Sequence, residues 1–224
     1  MQKNYTSLGL MSGTSGDGVD ASIIVSNGTD HFDVVKNKYF EYDTLLYKKI
    51  HFLKEKIFNI EDLNKFSKEL SDLERKITLF HAKIIKELET KDKDFLVGFH
   101  GQTIYHNPKE KISKQLGDGK LLFQLSKKKI IYNFRENDIL NGGEGAPLAP
   151  IFHQLIVSQK KIKLPVCILN IGGISNITIV KKPIGSLELM SKDLGPGNCL
   201  IDTWIRKNSN KKYDLNGKLA ATGK

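Results

Sequence analysis

The chain has 224 residues, 35 Lys and Arg against 25 Asp and Glu (formal net charge +10), 39% apolar and 27% charged residues. That apolar share excludes a disordered polyelectrolyte, and two cysteines, Cys167 and Cys199, exclude a disulfide scaffold. There is no run of about 18 apolar residues and no apolar stretch in the opening MQKNYTSLGLMSGTSGDG, so neither a membrane-spanning helix nor a secretory leader is expected. The chain reads as soluble, reducing and cytoplasmic.

The elements follow in chain order. Ser7–Ser12 reads as a strand that ends in a Gly-rich turn, Asp20–Ser26 as a second and His31–Tyr42 as a third, joined antiparallel by short connections. From Asp43 to about Asp92 apolar residues recur every three or four positions, from Leu45, Ile50 and Leu53 to Ile77, Ile84 and Leu88. That spacing predicts two helices, with a break near Asn59, which is suited to start the second. Phe95–Phe99 reads as a strand running into His100-Gly101-Gln102-Thr103, Leu121–Leu125 as helical, and Ile130–Phe134 as a strand. Leu148–Gln159 reads as a helix entered through Pro147. Val166–Asn170 and Asn176–Val180 read as strands around Gly172-Gly173, and Leu200–Arg206 begins a last helix. Strands alternating with helices predict an α/β layer architecture. The stretches Leu8–Ser26 and Cys167–Lys182 share the order strand, Gly/Ser turn, strand, either as two ordinary hairpins or as an internal repeat of two lobes.

The positive charge is a weak pointer to partners. Of the 35 basic residues 32 are Lys and three are Arg: Arg75, Arg135 and Arg206. The Lys are scattered, whereas nucleic-acid readers cluster their basic residues and favour Arg at base edges, so a solvated Lys-rich surface is the simpler reading.

Three Gly-rich stretches carry the chemistry. Gly13, Thr14, Ser15, Gly16, Asp17, Gly18, Val19 and Asp20 combine permissive backbone, hydroxyl donors and two carboxylates suited to hydrated Mg²⁺. The loop is either an anion-binding nest or a plain hairpin turn. It is not a Walker loop, because no Gly-Lys-Ser/Thr follows. Next, His100 and Gln102 end a strand, and Arg135 and Asp138 precede Gly142-Gly143-Glu144-Gly145. Arg135 is either a fork for an anionic oxygen or an ion-pair partner of Asp138. Last, Asp193 stands just before the Gly195-Pro196-Gly197 turn, as a general base or as a turn cap.

GLMSGTSGDGVDAS, GFHGQTIYHNP, QLGDG, NFRENDILNGGEGAPLAPIFH, LNIGGISNIT, DLGPGNCLIDTW and YDLNGKLAATGK, taken in order, resemble the motif series of the anhydro-N-acetylmuramic acid kinase family. The stretch Thr44–Asp92 carries little of the resemblance. It implies an actin-like (ribonuclease H-like) ATPase fold of two α/β lobes: residues 1–150 as the first, and 151–224 as a linking helix and the start of an incomplete second. Family members are longer, so a C-terminally incomplete kinase that binds ATP weakly and turns over little is expected. The implied reaction uses ATP and water to open the 1,6-anhydro ring of anhydro-N-acetylmuramate and phosphorylate O6, in peptidoglycan recycling. By the same resemblance Gly13–Asp20 would be the ATP phosphate loop with Mg²⁺ beside it. Gly172 and Gly173 would form the second-lobe turn, Asp193 the general base, and His100, Gln102, Arg135 and Asp138 sugar contacts. A homodimer is implied; no nucleic-acid or membrane partner is. Leu194 stands where the family has Thr, and Glu144 where Gln is expected. A non-catalytic actin-like nucleotide-binding module and a basic nucleic-acid-binding protein are the competing readings.

Overall fold

The computed structural model describes residues 3–88, 95–185 and 189–223. The chain divides into two compact units, Met1–Leu148 and Ala149–Lys224.

The first unit is built on one mixed sheet. Strands β1 (Tyr5–Ser12), β2 (Gly18–Ser26) and β3 (Phe32–Glu41) form an antiparallel meander, as the alternating apolar residues and the turn at Asn27-Gly28 predict. Three helices follow. α1 (Thr44–Lys54) is capped by Asp43, whose side chain accepts the Leu46 N–H at 2.8 Å. α2 (Ile60–Lys65) starts at the break near Asn59, whose side chain accepts the Asp62 N–H at 2.9 Å. α3 (Ser67–Glu87) carries the long apolar stripe, with Leu70, Leu73, Ile77 and Ile84 buried. One break was expected, and a second falls at Phe66, where the backbone leaves helical geometry for one residue. The expected continuation to about Asp92 lies outside the described residues.

The chain then re-enters the sheet. β4 (Leu96–Asn107) runs parallel to β1, the crossover from β3 being made by α1–α3. β5 (Ile112–Leu116) pairs antiparallel with the far half of β4. After α4 (Gly119–Ser126), β6 (Lys129–Ile131) pairs parallel with Leu96–Gly98, on the β4 edge away from β1. The order β3-β2-β1-β4 with parallel crossovers is the α/β order expected of an actin-like, ribonuclease H-like lobe. The core lies between this sheet and helices α1, α3 and α4, around Leu8, Val19, Ile50, Ile77, Val97, Phe99 and Leu122. β3, an edge strand, is mostly exposed and carries Lys36 and Lys38, which discourages edge-to-edge pairing. Ile130–Phe134 was expected to be one strand. Instead the backbone turns left-handed at Asn133 and starts a short helix, α5 (Phe134–Leu140).

The second unit opens with α6 (Pro150–Gln159), entered at Pro150 rather than Pro147 because proline suits the first helical turn. β7 (Val166–Ile171), β8 (Ile174–Val180) and β9 (Leu189–Pro196) make a second antiparallel meander, and α7 (Cys199–Asn208) follows. β9 corrects the sequence reading: Asp193 does not precede a turn but sits inside a strand, opposite Asn176. Gly195 and Pro196 masked it, since both residues are rare in strands, yet Pro is tolerated on an edge strand such as β9.

Candidate functional site

In the first unit the β1–β2 connection is a tight turn. The Gly16 N–H donates to the Gly13 carbonyl at 3.2 Å, and Gly16 then adopts φ +63°. The turn and the left-handed residue after it close the five-residue connection between Ser12 and Gly18. A Cβ on Gly16 would stand 2.9 Å from Ile50 Cγ2, so this position excludes side chains on two counts. Thr14 and Ser15 are exposed at the tip, while Gly16 and Gly18 are buried.

Side chains from elsewhere hold the turn. Gln102 on β4, itself fully buried, donates from Nε2 to the Gly13 carbonyl at 2.9 Å. Lys54, the last residue of α1, donates from Nζ to the Thr14 carbonyl. Ser15 Oγ donates to Asp17 Oδ1 at 2.6 Å, and the Tyr42 N–H donates to the Asp17 carbonyl at 2.8 Å. The Ser12 and Tyr42 hydroxyls meet at 2.7 Å beneath the loop. Burial raises the Tyr42 phenol above its ordinary value and keeps it neutral. Asp20 projects from the start of β2. Burial, and then the neighbouring Asp17 carboxylate, raises its pKa. A neighbouring like charge of this kind is relieved by a cation.

A β-bulge places the next residues. Leu10 pairs with Phe99 but Ser12 with Gln102, so β4 carries one extra residue at His100-Gly101, where Gly101 has φ +72°. Bulges re-aim side chains in this way. Arg135 Nε donates to His100 Nε2 at 2.9 Å. A guanidinium can only donate, so the His100 proton sits on Nδ1 and is donated to the Gly101 carbonyl at 2.7 Å. Burial, and then the Arg135 charge, pulls the His100 pKa down to about 4. His100 is therefore a neutral support with both nitrogens engaged. Arg135 and Asp138 lie three residues apart on α5 and converge on Gly145 from its two sides. Arg135 Nη1 donates to the Gly145 carbonyl at 2.7 Å, and Asp138 Oδ2 accepts the Gly145 N–H at 2.8 Å. Together they shape the Gly142–Gly145 loop.

In the second unit the Gly172-Gly173 turn is stitched through its carbonyls to the start of α7. Gly197 N–H donates to the Gly173 carbonyl at 2.9 Å, and Asn198 N–H to the Gly172 carbonyl at 2.7 Å. A Cβ on Gly197 would come within 2.2 Å of the Gly172 oxygen. Asp193 is exposed on β9. Ser175 pairs with Gly195 and Asn176 with Asp193, which leaves Leu194 as the extra residue of a bulge beside Asp193.

The structure thus brings Gly13–Asp20 and Gln102 together, and groups His100, Arg135 and Asp138 around a second loop. Gly172, Gly173 and Asp193 share the second meander. Sequence reasoning missed Lys54. No local signal marks one helical lysine among 32.

The family model described as anhydro-N-acetylmuramic acid kinase matches residues 5–224. The chain belongs to the anhydro-N-acetylmuramic acid kinase family. A relative from Pelagibacter ubique (strain HTCC1062), named anhydro-N-acetylmuramic acid kinase, is 59% identical over 100% of this chain and 60% of its own length. Relatives of the same name from Gluconobacter oxydans (strain 621H) and Agrobacterium fabrum (strain C58 / ATCC 33970) are 37% and 36% identical, over 96% and 97% of this chain and 60% of their own lengths. The chain spans about 60% of the length of the curated relatives it matches. Among the described residues no helix is long and apolar enough to cross a membrane.

Proposed function

We propose that this family member takes part in the ATP-dependent opening of 1,6-anhydro-N-acetylmuramate, with phosphorylation of O6 to give N-acetylmuramate 6-phosphate and ADP. The observation that carries the reading is the Gly13–Asp17 turn, pinned by Gln102 and Lys54 with Thr14 and Ser15 exposed at its tip. Phosphoryl transfer is achieved mainly by positioning and charge stabilisation, which a pre-set turn supplies.

Asp193 would take a proton from water as that water attacks the anomeric carbon. The C1–O6 bond breaks, and O6 accepts the γ-phosphoryl group as ADP leaves. The exposed Asp193 carboxylate suits a proton acceptor that must meet solvent-derived water. Arg135, already fixed by His100 and Gly145, would offer charge to an anionic sugar. His100, Gln102 and Asp138 would act chiefly by holding loops, since His100 Nδ1, Gln102 Nε2 and Asp138 Oδ2 are engaged within the chain.

Asp17 and Asp20 fit a Mg²⁺ ion as hard oxygen donors: burial first, and then the Asp17 charge, raises the Asp20 pKa, and a cation would offset both. Mg²⁺ would neutralise phosphate charge there while keeping most of its waters. The two units would be a first lobe (residues 1–150) and the start of a second (151–224), acting in the cytoplasm as a homodimer in peptidoglycan recycling.

The test is ADP release with 1,6-anhydro-N-acetylmuramate, on this chain and on a form extended to its relatives' length. Sugar-dependent turnover by the extended form is expected. Its absence removes the kinase reading. Asp193→Asn in that form should lower kcat by about 10²–10⁴-fold and leave nucleotide affinity unchanged; unchanged kcat removes Asp193 from the base role.

A further inference from the structure

The geometry points to Lys54 and Gln102 as positioning residues that aim the Thr14 and Ser15 amide N–H groups outward as a paired donor site for phosphoryl oxygens. The inference rests on the reading of Gly13–Asp20 as a phosphate loop and gives that loop a mechanism.

Consecutive carbonyls are gripped by side chains from β4 and α1. Gln102 Nε2 takes the Gly13 oxygen and Lys54 Nζ takes the Thr14 oxygen. The peptide unit that holds the Gly13 carbonyl also holds the Thr14 N–H, and the one with the Thr14 carbonyl holds the Ser15 N–H. Neither is cis. In a planar trans unit the C=O and N–H point in opposite directions. Fixing both oxygens toward β4 and α1 therefore turns both N–H groups away from them, at residues whose side chains are exposed.

The anchors come from rigid elements. Gln102 is fully buried in the central strand, and its Oε1 is buried without a hydrogen-bond partner among the described residues. Leaving a buried amide oxygen unsatisfied is unfavourable. A methionine or leucine would fill the space without that cost but could not donate to Gly13. Lys54 ends α1, whose Ile50 also packs against Gly16. Its ammonium adds a fixed positive charge beside a loop that has no lysine of its own. A donor pair whose orientation is set before binding loses less entropy when a ligand arrives.

The decisive variant is Lys54→Met, which keeps the aliphatic stem and removes the donor, with Lys54→Arg as its rescue. Two readouts are needed. Backbone amide order parameters at Thr14–Gly16, without ligand, should fall from about 0.85 to below about 0.6 in Lys54→Met and recover in Lys54→Arg. ATP affinity should weaken about tenfold and recover likewise, the scale of one charge-assisted hydrogen bond, with the thermal midpoint unchanged. Gln102→Met should loosen the same residues. Unchanged order parameters in both variants overturn the tether. Loosened amides with unchanged ATP affinity overturn the assignment of these donors to phosphate. If the unaltered chain and its extended form both fail to bind ATP while the amides still respond to Lys54, the phosphate-loop reading falls and the tether stands.

Discussion

The two Gly-rich hairpin turns share a sequence pattern and differ in what holds them. In the β1–β2 turn, side chains from α1 and β4 take the carbonyls, and the strands on either side lie in a core sealed by three helices. In the β7–β8 turn, main-chain amides at the start of α7 take the carbonyls, and β7 leaves Leu169 and Ile171 exposed at 52% and 59%. A strand–glycine–strand pattern sets only the possibility of a tight turn. Which groups face outward depends on what grips the carbonyls.

That contrast can be broken first through the cores. Ile77→Ala in α3 removes a fully buried side chain and should cost about 2–5 kcal/mol, while Leu200→Ala in α7, 65% exposed, should stay within about 0.5 kcal/mol. Urea unfolding followed by far-UV circular dichroism measures both. Trp204, the single tryptophan, reports the second unit separately by fluorescence. Equal losses would mean that the Leu200 face of α7 is packed as tightly as the Ile77 face of α3.

Acid should separate the units next. Burial first, with the Ile77 carbonyl opposing and His100 adding to it, holds His81 at about 4; burial and Arg135 do the same for His100. Folded values below the ordinary 6.5 mean that the unfolded chain binds more protons between pH 6.5 and 4. Stability is then fully present above pH 6.5 and is lost as pH falls toward 4. The His81 part is on the order of 3 kcal/mol, and the less buried His100 adds less. In the second unit burial lowers the partly buried His153, and the Leu219 and Ala220 N–H groups lower the Asp214 carboxyl, whose contribution is lost only below the His window. Urea midpoints from the first unit should therefore drop more steeply with acid than those from Trp204, and His81→Gln should flatten the difference.

The smallest effect sharpens the comparison at the turns themselves. Gly16→Ala forces a Cβ into a left-handed residue against Ile50 and should cost about 1–3 kcal/mol, with weaker nucleotide binding. Gly197→Ala should instead open the stitch to Gly172 and speed amide exchange at Asn198 and Cys199. Matching effects on nucleotide binding would remove the asymmetry between the two turns.

Much of the scaffold was legible. The spacing of Leu70, Leu73, Ile77 and Ile84 marks α3 because a buried helical stripe must recur every three or four residues. Asn59 could be read as a helix start because its side chain completes an unpaired N–H in the first turn. β9 and α5 were not legible. β9 ends in Gly195 and Pro196, which mimic a turn, and α5 has only seven residues, too few to show a period. The bulges at His100-Gly101 and at Leu194 were also hidden. A bulge depends on the partner strand's register, which local sequence does not encode.

By itself the sequence determined the α/β class, the repeated hairpins, the family and the residues of the Gly-rich loops, since each rests on local periodicity, backbone freedom or motif order. Only the tertiary structure decided what those residues do to one another. It made His100 a neutral brace for Arg135, set Arg135 and Asp138 on either side of Gly145, and brought Lys54 to the Thr14 carbonyl across 40 residues of chain. The His100–Arg135 and Lys54–Thr14 hydrogen bonds span 35 and 40 residues and exist only once the sheet and helices have packed, so no short window of sequence contains them.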